Sequence, residues 1–181
     1  MPHVFEPAPS ARAKCRGCGQ PIGKGEVRFG ERLANPFGDG EATLWFHPAC
    51  AAWRRPEPLL EALAAATVAV PERDELERTA QFANAHRRVP RIDGAERAPS
   101  GRASCRHCKA VIEKGSWRIR LVYFEDGRLS PGGSVHLGCR REYFETGDVL
   151  APLLHFSPGL AEPDRAELTR ACAEDRPAPP A

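Results

Sequence analysis

The phrase Cys-x-x-Cys occurs twice in this chain, as "CRGC" (Cys15, Cys18) and "CRHC" (Cys105, Cys108). Each copy is closed by His-x-x-Cys, as "HPAC" (His47, Cys50) and "HLGC" (His136, Cys139). The spacings are C-x2-C-x28-H-x2-C and C-x2-C-x27-H-x2-C. A structural zinc site needs four N/S ligands at tetrahedral corners, and Cys3His is a standard set. A Cys-x-x-Cys turn presents two thiolates to one ion, and His-x-x-Cys supplies the rest from a helix start or turn. The agreement continues beyond the ligands, because "CRGCGQPIGKGEVR" aligns with "CRHCKAVIEKGSWR" without a gap. Ile22, Lys24, Gly25 and Arg28 fall on Ile112, Lys114, Gly115 and Arg118. Duplication of one module is the simplest cause. Two structural Zn2+ ions are therefore expected, one on Cys15, Cys18, His47 and Cys50, the other on Cys105, Cys108, His136 and Cys139.

Composition supports a stapled design. The 181 residues include 18 prolines and 16 glycines, with only 7% aromatic residues. Half a chain of that composition buries little apolar surface, so a metal staple fits. Seven cysteines, an odd count, do not suit a secreted disulfide framework. The start "MPHVFEPAPS" also lacks the apolar core of a signal peptide. A reducing setting is expected: the cytoplasm, at the nucleoid, in a bacterium, or the nucleus in a eukaryote. Cys172 stands outside the pattern and reads as a packing residue in a C-terminal helix. His107 falls where the first copy has Gly17, so it does not carry the shared role.

The net charge of +2 conceals a division. Residues 1–55 carry eight Lys/Arg against five acids, and residues 86–121 carry ten against three. Residues 56–85 carry two against six, and residues 148–181 three against six. Positive charge thus gathers around the two Cys-x-x-Cys turns, the pattern of a local anion-binding face.

The predicted fold class is α+β: two tandem zinc-stapled modules, each with a short antiparallel sheet, a Cys3His site and flanking helices. "EVRFGERL" and "SWRIRLVYF" read as strands. "LANPFGDGEATLWF" reads as strand, loop and return strand, and "SPGG" as the matching turn of the second copy. Helices are expected at 58–66, 72–86, 148–155 and 162–175. The expected domains are residues 1–86 and 99–175, joined by a linker at 87–98 and followed by a disordered tail at 176–181. No catalytic residues are expected. Four protein ligands close each metal site, whereas a catalytic zinc keeps an open position. No nucleophile constellation or phosphate-cradling glycine motif is present.

Together, "SGRASC", the second Cys of each pair, a long β-segment and His-x-x-Cys resemble the DNA-break-sensing zinc finger of poly(ADP-ribose) polymerases. The same finger type occurs at the front of a eukaryotic DNA ligase. The resemblance covers residues 9–55 and 99–145. It includes an Arg three residues before the first Cys (Arg12, Arg102) and another ten after the second (Arg28, Arg118). It implies a sequence-independent DNA-binding protein that recognises nicks or ends, a damage-sensing or repair accessory whose partners are broken DNA and a repair enzyme. The family's long catalytic portion is not expected here, which leaves a sensor without an effector.

The expected phosphate contacts are Arg12, Arg28, Arg102 and Arg118, followed by Lys14, Arg16, Arg106, Lys24 and Lys114. Arg suits this role because its planar fork binds phosphate oxygens bidentately. The family's "F-D-G" loop stacks apolar side chains on exposed bases. "FGDG" points to Phe37, with Leu44 as companion, or else to a Phe37 packed beneath its own loop. "YFEDG" points to Tyr123 or Phe124. A zinc-stapled protein-interaction adaptor is the alternative function, with the acidic helices as its binding face.

Overall fold

Phe5, Phe29 and Phe46 stand directly opposite one another across three neighbouring strands, with ring centroids 5.6 and 6.1 Å apart. Such cross-strand aromatic rows are a main source of sheet stability. They define the first sheet of the computed structural model, which describes residues 2–35 and 38–174. Its strands are β1 (Val4–Pro7), β2 (Val27–Ala34) and β3 (Glu41–Phe46), antiparallel in the order β1-β2-β3.

Three helices follow: α1 (Pro48–Arg54), α2 (Pro56–Ala65) and α3 (Arg73–Ala85). Proline opens both α1 and α2, where its fixed φ fits and its missing N–H costs nothing. Leu59, Leu63, Leu76, Ala80 and Ala83 form the buried seam of this helical layer. Alanine on the facing surfaces lets the helices approach closely. Glu31 on β2 is only 1% exposed and receives two hydrogen bonds from the Arg55 guanidinium, at 2.7 and 2.5 Å. The α1–α2 corner is thereby fixed to the sheet.

The chain divides into two units, Met1–Pro90 with Phe124–Leu129, and Arg91–Tyr123 with Ser130–Ala181. The second sheet contains β4 (Ile92–Arg97), β5 (Trp117–Glu125) and β6 (Arg128–His136), in the order β4-β5-β6. Its central row is smaller, with Ala95 opposite Ile119. Short helices α4 (Arg140–Phe144) and α5 (Leu150–His155) and the longer α6 (Glu162–Ala173) complete this half. At Gly94 the chain of β4 passes against the end of α5. A Cβ there would lie 2.4 Å from Ser157 Oγ, and φ is +99°. Only glycine accommodates both constraints.

Three expectations are corrected. The proposed linker at 87–98 contains β4, the counterpart of β1, so the second unit begins at Arg91. The turn of the second copy is Asp126–Gly127, both with positive φ, and "SPGG" lies inside β6. An Asp-Gly pair supplies the left-handed conformations that a tight hairpin needs, and Pro131 is tolerated on an edge strand. Helices also begin earlier than expected: α1 already contains the last ligand, Cys50, and α4 starts directly after Cys139. The predicted tail at 176–181 lies outside the described residues.

Candidate metal centres and nucleic-acid face

Each Cys-x-x-Cys pair sits on a tight backbone knuckle. Cys15 N–H donates to Gln20 O, and Gly19 N–H returns to Cys15 O, both at 2.8 Å. The second copy repeats this with Cys105 to Ala110 O and Lys109 to Cys105 O. The turn needs a left-handed residue, which is Gly19 (φ +75°) in one copy and Lys109 (φ +65°) in the other.

The His-x-x-Cys pairs are delivered differently. His47 is the N-cap of α1, held extended by the following Pro48, and Cys50 lies inside the helix. His136 instead precedes a 3-10 turn, Leu137–Cys139. The tighter approach of α1 explains Gly17. A Cβ on it would lie 2.8 Å from the Cys50 Cβ. His107 occupies the same place in the second copy, where a 3-10 turn replaces the start of α1.

All four donor atoms in each set lie within 4.8 Å of one another. His47 Nδ1 is 3.4 Å from Cys18 Sγ and 4.0 Å from Cys50 Sγ. His136 Nδ1 is 3.3 Å from Cys108 Sγ and 3.8 Å from Cys139 Sγ. A tetrahedral zinc with Zn–S of about 2.3 Å and Zn–N of about 2.0 Å implies N···S edges of about 3.5 Å. The donors fit that ion. The outer nitrogen of each histidine is committed, with His47 Nε2 3.2 Å from Pro21 O and His136 Nε2 3.1 Å from Val111 O. Such a bond protonates Nε2 and leaves the Nδ1 lone pair facing the metal.

The thiols are electrically unequal. A hydrogen bond from Cys50 and backbone N–H groups from His47 and Gly17 hold Cys15 at about 5, against an ordinary thiol value of 9.0. The same bond to Cys15, together with burial, pushes Cys50 far up. In the second centre burial opposes ionisation of Cys105, but backbone N–H groups of His136, Cys108 and His107 hold it at about 7. Burial and the nearby Cys105 charge raise Cys139. Zinc supplies the charge that lets all three thiolates coexist, and its binding displaces the protons.

The expected phosphate contacts fall into two groups. Arg12, Lys14, Arg16 and Lys24 are exposed around the first knuckle, and Arg102, Arg106 and Lys114 around the second. Arg28 is different, being 7% exposed. Its Nε and Nη2 donate to Glu6 Oε1 at 3.2 and 2.5 Å, and its Cζ stands 3.5 Å from the Trp45 ring centroid. Arg118 makes the same paired bonds to Glu96 Oε1, at 3.0 and 2.5 Å. The acids were missed in the sequence, although they too lie ninety residues apart. These arginines tie β2 to β1 and β5 to β4, beside the exposed cations.

The stacking candidates do not form an exposed set. Phe37 lies outside the described residues. Leu44 is buried in β3 against Gly127. The Phe124 ring lies 6.5 Å from Phe46 and carries the Arg55 guanidinium at 4.2 Å, within the first unit. Tyr123 packs against Gly132 and lies 5.0 Å beneath the Arg91 guanidinium. The tip of this hairpin instead exposes Glu125 and Asp126.

Residues 6–83 match the family model described as the poly(ADP-ribose) polymerase and DNA-ligase Zn-finger region. Over these residues the chain is similar to a zinc finger of that family. The second unit repeats its knuckle, its ligand set and its arginine–glutamate tie, making the pair a tandem. Among similar proteins, a poly [ADP-ribose] polymerase of Sarcophaga peregrina is 29% identical over 143 residues, covering 69% of this chain and 14% of the relative. The Gallus gallus poly [ADP-ribose] polymerase 1 is 26% identical over 71% of this chain and 14% of the relative. The Drosophila melanogaster poly [ADP-ribose] polymerase is 27% identical over 94% of this chain and 19% of the relative. The chain thus spans between about a seventh and a fifth of these relatives' length.

Proposed function

We propose that the tandem fingers bind DNA without sequence preference and favour strand breaks. The reading is carried by one observation: the same knuckle, ringed by exposed Arg and Lys at matching offsets, is built twice around equivalent Cys3His centres. Arg12, Lys14, Arg16, Arg102 and Arg106 meet backbone phosphate. Arg28, buried against Glu6, and Arg118, half-buried against Glu96, hold the strands that present them. Phosphate contacts orient a protein but carry no base identity, so intact duplex is also bound.

Preference for breaks comes from the exposed face of a terminal base pair, which intact duplex keeps inside its stack. Stacking on a base is worth about 1–3 kcal/mol, or roughly tenfold to hundredfold. Because Leu44 is buried, and Tyr123 and Phe124 are half-buried beneath Arg91 and Arg55, this contribution is assigned to the β2–β3 loop of the first finger. Each zinc centre, with three thiolates, carries a net charge of −1, and the two together cancel the chain's formal +2. Attraction therefore depends on where the cations stand, and binding falls as salt rises.

The test is fluorescence anisotropy of zinc-loaded protein on a labelled nicked hairpin, with unlabelled nicked and covalently closed circles as competitors at equal salt. Nicked circles competing at least tenfold better support break recognition. Equal competition reduces the function to general duplex binding, and absence of DNA binding gives first place to a protein-adaptor role.

A further inference from the structure

The two fingers also differ on the repeated sheet, beside the knuckle. In the first finger Trp45 lies over β2, and Gly30 makes room for it, since a Cβ there would meet the indole at 2.7 Å. Trp45 O accepts from Arg16 N–H; in the second finger Ser134 O accepts from Arg106 N–H, so Ser134 holds the place of Trp45. Ninety residues after Gly30 stands Arg120. A bulky ring facing a glycine has been exchanged for a small hydroxyl and a cation that line one groove.

The exchange opens a groove of about 640 Å³ wholly within the second unit, lined by Arg106, Lys109, Arg118, Arg120, Ser104 and Ser134 among others. Its cations are partly prearranged. Arg106 Nε donates to Gly132 O at 3.1 Å, lying against Gly133, where a Cβ would reach within 2.6 Å of that nitrogen. Lys109 Nζ donates to Arg106 O at 2.8 Å, and Arg120 Nη2 to Asp93 O at 2.8 Å. Arg120 Nε is shut off from solvent and has no hydrogen-bond partner, with Glu96 Oε2 3.8 Å away.

Outside the zinc centre, the charges leave a clear remainder. Arg118 is matched by Glu96. Arg106, Lys109 and Arg120 then face the single acid Asp93 in the lining, an excess of two positive charges. A phosphodiester within a strand carries one negative charge. A phosphate monoester at a strand end carries nearly two at neutral pH, with three acceptor oxygens. The first finger lacks these features, having Gly19 and Gly30 in place of Lys109 and Arg120.

We propose that this groove binds the terminal phosphate monoester of a broken strand, so that the second finger reads the chemistry of the end and not only its shape. The inference rests on the DNA-binding function proposed above. Both 5′- and 3′-phosphates present this group, and the experiment separates them.

Anisotropy would be measured on one nicked hairpin prepared with 5′-phosphate, 3′-phosphate or only hydroxyls at the nick, with zinc content checked in every sample. The expected result is about tenfold tighter binding of one phosphorylated form than of the hydroxyl form, the scale of one or two charge-assisted hydrogen bonds. Arg120→Ala with Lys109→Gly, the latter suited to the left-handed backbone there, removes that difference and leaves binding of the hydroxyl nick nearly unchanged. Ser134→Trp with Arg120→Gly, which rebuilds the first finger's Trp–Gly pair, does the same with Arg106 and Lys109 retained. Equal affinity for all three nicks overturns the groove assignment, as does a phosphate preference that survives both variants. If hydroxyl nicks still outcompete closed circles in that case, break recognition stands without it. If neither end chemistry outcompetes closed circles, break recognition itself falls.

Discussion

Arg28 offers the sharpest separation between a residue that touches DNA and one that positions its neighbours. Replacing it with Ala removes the paired bonds to Glu6, the stacking on Trp45 at 3.5 Å, and a buried aliphatic stem. Glu6 is 40% exposed, so the ion pair contributes only about 0.5–1 kcal/mol after solvent screening. Cation–π stacking of a largely desolvated guanidinium contributes about 1–2 kcal/mol, and the stem about 1 kcal/mol more. The sum is about 2.5–4 kcal/mol, which lowers the melting temperature of a unit this size by about 10–30 °C. Arg28→Lys retains the charge but loses the fork and the stack, and recovers less than half of that loss. The deciding readout is the salt dependence of DNA binding for the variant that remains folded at the assay temperature. A phosphate contact contributes about 0.9 to the slope of log K against log salt. The structure predicts an unchanged slope for Arg28→Lys or Arg28→Ala beside the lost stability. A slope reduced by about one, with normal stability, would refute the positioning role.

Other consequences are more direct. Cys50→Ser lowers zinc content from two ions per chain to one and unfolds the first unit while the second keeps its metal; Cys139→Ser does the converse, and metal analysis with proteolysis reads both. Zinc affinity falls as pH falls, because Cys50 and Cys139 hold their protons until the metal displaces them; competition with a chelator at pH 6 and pH 8 measures it. Arg12→Ala with Arg102→Ala weakens binding to intact and nicked DNA alike and reduces the salt slope by about two, since both side chains are exposed phosphate contacts in the proposed function. Gly17→Ala forces apart contacts at 2.8 Å and weakens zinc binding at the first centre, at a cost of about 1–3 kcal/mol, while His107→Ala leaves the second unchanged in metal titrations.

The ligand sets were fully legible in the sequence, because zinc geometry restricts both residue type and spacing and the duplication wrote the pattern twice. The central strands were also legible, Ile119 from the β-branched and aromatic run around it and Phe29 from the alternation of apolar and polar residues in Val27, Arg28 and Phe29. β4 was not, because "RIDGAERAP" is polar and is flanked by prolines. Its strand character comes from pairing with β5 and from α5 packing on Gly94, neither of which is local. The repeat nevertheless contained the signal: Glu6, Ala8, Pro9 and Ser10 recur ninety residues later as Glu96, Ala98, Pro99 and Ser100. Extending the alignment upstream would have found the edge strand and the acid that pairs with each arginine. The burial of Leu44 and the partial burial of Tyr123 and Phe124 against Arg91 and Arg55 depend on tertiary contacts that a loop motif does not encode.

The central claim is tested most directly by sealing a break while binding is observed. A fluorescent DNA dumbbell with a single nick would be bound by the zinc-loaded protein, then compared at the same salt with the same dumbbell after ligation into a closed molecule without ends. The account predicts at least a tenfold loss of affinity on sealing, with zinc content unchanged. Equal affinity before and after sealing would contradict it.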